Sequence, residues 1–286
     1  MTKPMKIAFQ GEMGANSHLA IVEAYPDAEP FPCATFEDAL AAIASGEADL
    51  GMIPIENSVA GRVADIHYLL PQSGLFIVGE YFLPVRHQLM APRGAKLADI
   101  KTVESHVQAL GQCRNIIRKM GIKPVVAADT AGSARIVSER GDKSCAAIAS
   151  RLAAQIYGLD ILSEDVEDEA HNTTRFVVLA RESRWAKAGS GLLVTSFVFR
   201  VRNLPAALYK AMGGFATNGV NMTKLESYMV DGNFFATQFY ADVEGHPEDQ
   251  ALTFALEELK FFSREFRIVG VYPGHPFRAT FSEKAE

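Results

Sequence analysis

The chain has 286 residues, 48% of them hydrophobic, and a formal net charge of −6, which is length enough for more than one buried core. The acidic balance and the lack of any Lys/Arg-rich run exclude non-specific nucleic-acid binding, which needs clustered cations. No apolar stretch approaches the roughly 20 residues that span a bilayer, so neither a nucleic acid nor a membrane is expected as a partner.

The opening MTKPMKIAFQG enters a strand-like run without a signal-peptide apolar core, which makes the cytoplasm the expected compartment. MKIAFQG reads as a strand and SHLAIVEAY as a helix. TFEDALAAIASG reads as a second helix, with Thr35 at its N-cap, Asp38 three residues on and Gly46 at its stop. ADLGMIPI follows as a buried strand. A second set starts near LFIVGEYFLPVRHQLMA: VQALGQCRNIIRKMG is expected as one helix ended by Gly121, KPVVAA as a strand, TAGSARIVSERG as a helix, CAAIAS as a strand and RLAAQIYG as a helix. This alternation predicts an α/β fold with two mainly parallel sheets.

RESRWAKAGSG is polar and aperiodic and reads as a linker. Beyond it come the strand LLVTSFVFRV and the helix PAALYKAMGGFATNG, with Pro205 in its first turn. The strands NMTKLESYMV and FFATQFYADVE follow, joined by a tight turn at Asp231-Gly232-Asn233. The helix PEDQALTFALEELKFFS and the strand FRIVGVYP complete a βαββαβ, ferredoxin-like order.

Cys33, Cys113 and Cys145 are widely spaced, with no CxxC pair, and the seven histidines are scattered. Buried thiols are expected, and no metal site. The polar clusters fall instead at strand ends, where an open α/β sheet binds its ligand. FQGEMGANSHLA and ADTAGSA are explained by a turn and by capping, the latter by Asp129. IPIENSVAGRV sets Glu56, Asn57 and Ser58 in succession after an apolar strand, where capping and binding readings are even. VESHVQALGQC places Ser105 and Gln112 seven residues apart, on one expected helical face, with His106 as a capping residue. AHNTTRFVVLA has no helix to cap: His171, Asn172, Thr173, Thr174 and Arg175 precede a strand, and a binding or catalytic role is the better reading.

IPIENSVAGRV, SHVQALGQC, DTAGSA, AAIAS and NTTRF, in that order over nearly the whole chain, resemble the prephenate dehydratase family. The resemblance implies a two-lobed, periplasmic-binding-protein-like catalytic domain over 1–181, its lobes being 1–78 plus 160–181, and 79–159. A ferredoxin-like ACT regulatory domain would follow over 191–278. With nothing ahead of the first strand, the chorismate mutase domain of some members is not expected.

The implied reaction removes carbon dioxide and water from prephenate to give phenylpyruvate, in phenylalanine biosynthesis, with no cofactor. By resemblance Thr174, Glu56, Asn57, Ser105 and Gln112 would be catalytic, while Ser58, Thr173, Arg175 and Phe176 would bind substrate. Arg175 suits either a substrate carboxylate or a bidentate pair with Glu56, which must be protonated or neutralised beside a dianion. Phe176 suits either a pocket wall or the core.

Many members bind phenylalanine through Gly-Ala-Leu and Glu-Ser-Arg-Pro segments; here these read Ala206-Ala207-Leu208 and Glu226-Ser227-Tyr228-Met229. Val107 stands where the family often has proline. Ala207, Leu208, Asn218, Asn221, Glu226 and Ser227 are the expected effector residues, phenylalanine the expected effector, and a homodimer or homotetramer the expected assembly. Arogenate dehydratase and a non-catalytic amino-acid sensor are the competing readings.

Overall fold

A computed structural model describes residues 4–202, 204–229 and 236–282. The chain divides into two compact units. The first comprises Met1–Ala42, Gly51–Val63 and Phe82–Phe176, and the second Ile43–Leu50, Ala64–Tyr81 and Val177–Glu286.

The first 72 residues supply β1 (Lys6–Gln10), α1 (Asn16–Ala24), β2 (Glu29–Cys33), α2 (Phe36–Ser45), β3 (Leu50–Asn57), β4 (Gly61–Arg62) and α3 (Ala64–Leu69). β11 (Thr173–Ala180), whose first four residues belong to the first unit, β3, β1 and β2 lie side by side in that order, with β4 against β3. β1 and β2 are parallel. β2 is a strand the sequence did not announce, because EPFPC carries two prolines. Its place at the sheet edge removes the objection, since an edge strand need not donate every N–H. The start of α2 forms as expected: the Asp38 amide donates to Thr35 Oγ1 at 3.0 Å and the Thr35 amide to Asp38 Oδ2 at 3.2 Å.

After β5 (Phe76–Pro84), the second lobe of this unit takes β6 (Gln88–Ala91), β7 (Thr102–His106), α4 (Val107–Gln112), α5 (Arg114–Met120), β8 (Lys123–Ala127), α6 (Thr130–Arg140), β9 (Cys145–Ala149), α7 (Arg151–Tyr157) and β10 (Asp160–Ser163). Its sheet order is β10-β6-β9-β7-β8, parallel between β7 and its neighbours and antiparallel elsewhere. Apolar clusters centred on Leu89, Val103 and Ile148, and on Met90, Val137 and Ala147, form its core. β6 and β9 contribute alternate residues to each, the period-two pattern of a sheet covered on both faces.

Two expectations are corrected here. The single helix read from VQALGQCRNIIRKMG is two helices, broken at Cys113, whose φ of −125° and ψ of 30° are not helical. Asp168 causes the break: its carboxylate accepts from the Arg114 and Asn115 amides at 2.9 and 3.1 Å, capping a new helix start. Ser105 lies near the end of β7, the strand-end position expected, but does not share a helical face with Gln112, because the helix begins only at Val107.

The second unit carries the order β12 (Leu193–Val201), α8 (Ala207–Thr217), β13 (Met222–Met229), β14 (Ala236–Glu244), α9 (Gln250–Phe262), β15 (Ser263–Pro273), followed by α10 (Ala279–Ser282). Its strands run β13-β14-β12-β15, the ferredoxin-like arrangement, with antiparallel pairing throughout. Phe197, Phe199, Phe215 and Phe239 fill the space beneath α8 and α9; burying each such ring contributes on the order of 1.5–3 kcal/mol. β5 runs parallel to β15, where Gly270 faces Ile77. A Cβ on Gly270 would lie 2.5 Å from the Ile77 carbonyl oxygen, so the close approach requires glycine.

Pro205 precedes α8 rather than occupying its first turn, because Ala206, in the left-handed region at φ 59°, is the N-cap. The expected turn at Asp231-Gly232-Asn233 lies outside the described residues. Residues 181–192 form no helix or strand, and among the described residues no helix is long and apolar enough to cross a membrane.

Candidate active site

The polar residues at the end of β3 and the start of β11 meet because the two strands are neighbours. The Ser58 amide donates to the Thr173 carbonyl at 2.9 Å. Ser58 Oγ donates to the His171 carbonyl at 2.8 Å and accepts from the Thr173 amide at 2.9 Å. Ser58 therefore stitches the loop after β3 to the segment before β11.

Asn57 is oriented by its own loop: its Oδ1 accepts from the Val59 amide at 3.0 Å and from Ala60 at 2.8 Å. Its Nδ2 donates to Asn172 Oδ1 at 2.8 Å and to Thr174 Oγ1 at 2.9 Å. The Thr174 hydroxyl is thus an acceptor toward Asn57, and among the described residues its own hydrogen has no acceptor. A hydroxyl so held can donate outward to a bound molecule.

Arg175 Nη1 donates to Glu56 Oε1 at 2.8 Å; the arginine side chain is 3% exposed and the glutamate 33%. The guanidinium neutralises Glu56, removing the repulsion an isolated carboxylate would exert on an anion. Gln112, at the end of α4, accepts at Oε1 from Asn172 Nδ2 at 3.0 Å, and His87 Nε2 lies 2.9 Å from the same oxygen. His87 is buried, and burial holds its imidazole below the usual histidine range, against smaller opposing effects of Gln112 and Glu167.

The structure thus gathers Glu56, Asn57, Ser58, Gln112, Thr173, Thr174 and Arg175. It does not bring Ser105 or Phe176 into this network. Ser105 is fully buried and donates to the Ile148 carbonyl at 2.6 Å, while Phe176 is a core residue of β11. Asn172, read within the HNTTRF cluster but given no individual role, joins Asn57 to Gln112. His87 was missed: nothing near it in sequence signals that its ring meets Gln112, 25 residues away.

The expected effector residues have local partners. Asn218 Nδ2 donates to the Gly214 carbonyl at 2.8 Å, Asn221 Nδ2 to Glu244 Oε2 at 3.0 Å, and Glu226 pairs with the buried Lys224 at 3.2 Å. Ala207 and Leu208 open α8, and Ser227 is exposed on β13.

An opening in the first unit, about 550 Å³, is lined in part by Gln10, Glu12, Cys33, Asp129 and Tyr157. Arg135 grips Glu12 there with two bonds of 2.7 and 3.0 Å and holds its carboxyl below the usual range. Gly14, at φ 89°, packs so closely on α7 that a Cβ would sit 2.8 Å from Ala153 Cα. Among the described residues no group of three or more His, Cys, Asp or Glu could hold a metal.

Sheet-based lobes, a ferredoxin-like unit and a hydroxyl held by the Asn57 amide at strand ends define an α/β protein with a candidate active site where β3 meets β11. The chain belongs to the prephenate dehydratase family, whose description matches residues 7–184. It is 53% identical over 272 residues to a bifunctional N-acyl-homoserine lactone acylase/prephenate dehydratase of Komagataeibacter europaeus, covering 95% of this chain and 97% of that one. It is 41% identical to the chloroplastic arogenate dehydratase/prephenate dehydratase 1 of Arabidopsis thaliana, covering 94% of this chain and 72% of the relative. The crystal structure of a prephenate dehydratase in complex with L-Phe from Arthrobacter aurescens superposes with a TM-score of 0.86. That protein is 30% identical, and the match covers 98% of this chain and 97% of the other.

Proposed function

We propose that the chain is a prephenate dehydratase, a carbon–oxygen lyase that converts prephenate to phenylpyruvate, carbon dioxide and water. As the C–CO2⁻ bond breaks, its electron pair enters the ring, the C–OH bond breaks, and the departing hydroxide, stabilised by a donated hydrogen bond, takes a proton supplied ultimately by solvent to leave as water. Aromatisation drives the step, so the protein needs to bind the dianion and stabilise the leaving hydroxyl.

The observation that carries this reading is the Asn57–Thr174 hydrogen bond, which leaves the threonine hydrogen to donate to the departing oxygen. Glu56, neutralised by Arg175, contributes a polar wall without net repulsion. Gln112 and Asn172 hold Asn57 in place. Ser58 and Thr173 hold the two segments together. On this reading residues 1–181 are the catalytic domain and 191–278 an ACT regulatory domain that binds phenylalanine through Ala207, Leu208, Glu226 and Ser227. The enzyme works in the cytoplasm as a homodimer or homotetramer.

The test is product formation from prephenate and from arogenate, side by side, by wild type, Thr174→Ala and Thr174→Ser. Phenylpyruvate from prephenate is expected. Thr174→Ala should lose about 10²–10⁴-fold in kcat, the usual contribution of a positioned proton donor, and Thr174→Ser should retain most of it. Phenylalanine formed from arogenate alone would make the chain an arogenate dehydratase; no turnover of either compound by wild type would reject the dehydratase reading.

A second reading is an N-acyl-homoserine lactone acylase activity carried by the same chain, favoured by the 53% identity to the bifunctional relative over nearly its full length. Release of homoserine lactone from a long-chain N-acyl-homoserine lactone measures it directly. Intact substrate after incubation with enzyme that is active on prephenate would reject it.

A further inference from the structure

We propose that His87 is a positioning residue whose ring, as the Nε2–H tautomer, terminates a one-way hydrogen-bond chain that aims the Thr174 hydroxyl. The direction of every link follows from two groups that can only donate. The backbone amides of Val59 and Ala60 both point at one side-chain atom of Asn57, so that atom is the oxygen. The other end of Asn57 is therefore the NH2 group, which donates to Asn172 and Thr174. The Asn172 atom facing it must accept, which turns the Asn172 NH2 group toward Gln112. The Gln112 atom that receives it must be oxygen, and this oxygen also faces His87 Nε2 at 2.9 Å. His87 Nε2 must then carry a hydrogen.

The ring is placed to do this by its backbone. The His87 amide donates to Glu167 Oε2 at 2.9 Å, and its carbonyl accepts from the Val166 amide at 2.8 Å. Glu167 is itself held by Arg86 at 2.7 Å. With His87 in place, Gln112 cannot rotate to present its NH2 group without setting donor against donor. Asn172 is held in turn between Gln112 and Asn57, whose own direction the Val59 and Ala60 amides set, and Thr174 keeps its oxygen toward Asn57 and its hydrogen toward the ligand. No covalent step is assigned to His87.

The kinetic consequence rests on the dehydratase reading; the tautomer does not. Long-range 15N–1H spectra of the full chain, with His87 assigned by comparison with His87→Gln, are expected to show the proton on Nε2; a proton on Nδ1 alone would overturn the proposal. In prephenate turnover, His87→Leu should lose about tenfold or more in kcat, the worth of one ordering hydrogen bond, with KM within about twofold. His87→Gln puts an amide N–H where Nε2 stood and should recover most of kcat. Wild-type kcat in the leucine variant, or a glutamine variant as slow as leucine, would overturn the proposal. If the leucine variant fails to fold, the ring spectrum and the glutamine variant decide it. If wild type does not turn over prephenate, the dehydratase reading fails and the ring spectrum alone decides for His87.

Discussion

Glu56 sits one-third exposed at a strand end with a nearly buried guanidinium against it, and the two residues answer substitution differently. Truncating one partner of a fully buried ion pair costs roughly 3–5 kcal/mol, and the exposure of Glu56 places this pair below that figure. Arg175→Leu is therefore expected to lower the urea midpoint as well as activity, whereas Glu56→Gln keeps an amide oxygen for Arg175 and should reduce kcat more than stability. Undiminished turnover in Glu56→Gln would remove Glu56 from the mechanism. The histidines give this scale a pH signature. His18, His87 and His275 are each held below the ordinary value of 6.5, in every case chiefly by burial. Between those lowered values and 6.5 the unfolded chain binds protons that the folded protein refuses, so stability falls as the pH drops through that window and is fully present above it. Urea midpoints measured at pH 7.5 and pH 5.5 should fall in that order for wild type, and His87→Gln should show a shallower dependence. Equal slopes would mean that His87 does not contribute.

At the scale of elements, the start of α8 holds a specific strain. Ala206 is its N-cap in the left-handed region, at φ 59°, a conformation that costs a residue with a Cβ about 1–2 kcal/mol. Glycine relieves this but adds about 0.5–1 kcal/mol of backbone entropy to the unfolded chain. The balance predicts that Ala206→Gly stabilises the protein modestly, by on the order of 0.5–1 kcal/mol, seen as a higher urea midpoint; a lower midpoint would contradict the backbone geometry. The same position is one where the family pattern has glycine, so a backbone requirement accounts for that pattern without appeal to a ligand. Elements were legible in the sequence wherever their signal was local. The reciprocal pair of Thr35 and Asp38, Gly121 ending α5 in a left-handed conformation, and the βαββαβ order were all readable. The break at Cys113 was not, because the carboxylate that makes it arrives from Asp168, 54 residues away. The site divides the same way. Glu56, Asn57, Asn172, Thr174 and Arg175 could be suspected because polar residues crowd against apolar strands, while His87 acts through an amide contact that spans 25 residues and leaves no spacing to read.

For the molecule as a whole, the proposed regulation is the property that local geometry supports least and solution measurement tests best. The second unit contains both the ferredoxin-like strands and α3, which follows β4 in the chain. Within that unit His67 of α3 meets the buried Tyr240 of β14 edge to face, 5.5 Å between ring centroids. The residues proposed to bind phenylalanine lie in this same unit. If phenylalanine binds there, it stabilises the folded chain by mass action, by about 2.7 kcal/mol at a hundredfold excess over Kd. The expected outcome is a saturable heat of binding to the intact protein and a matching rise in Tm. Thr174→Ala should preserve both, because it alters only the catalytic cluster, and Leu208→Ala should weaken both. Tyr228 and Met229, standing where an arginine and a proline are usual in the family, make the affinity the quantity to measure first. A flat calorimetric trace for wild type, together with an unmoved Tm at millimolar phenylalanine, would show that this chain has kept the βαββαβ fold and lost the effector. Binding abolished by Thr174→Ala would instead place phenylalanine in the catalytic cluster, as a product analogue.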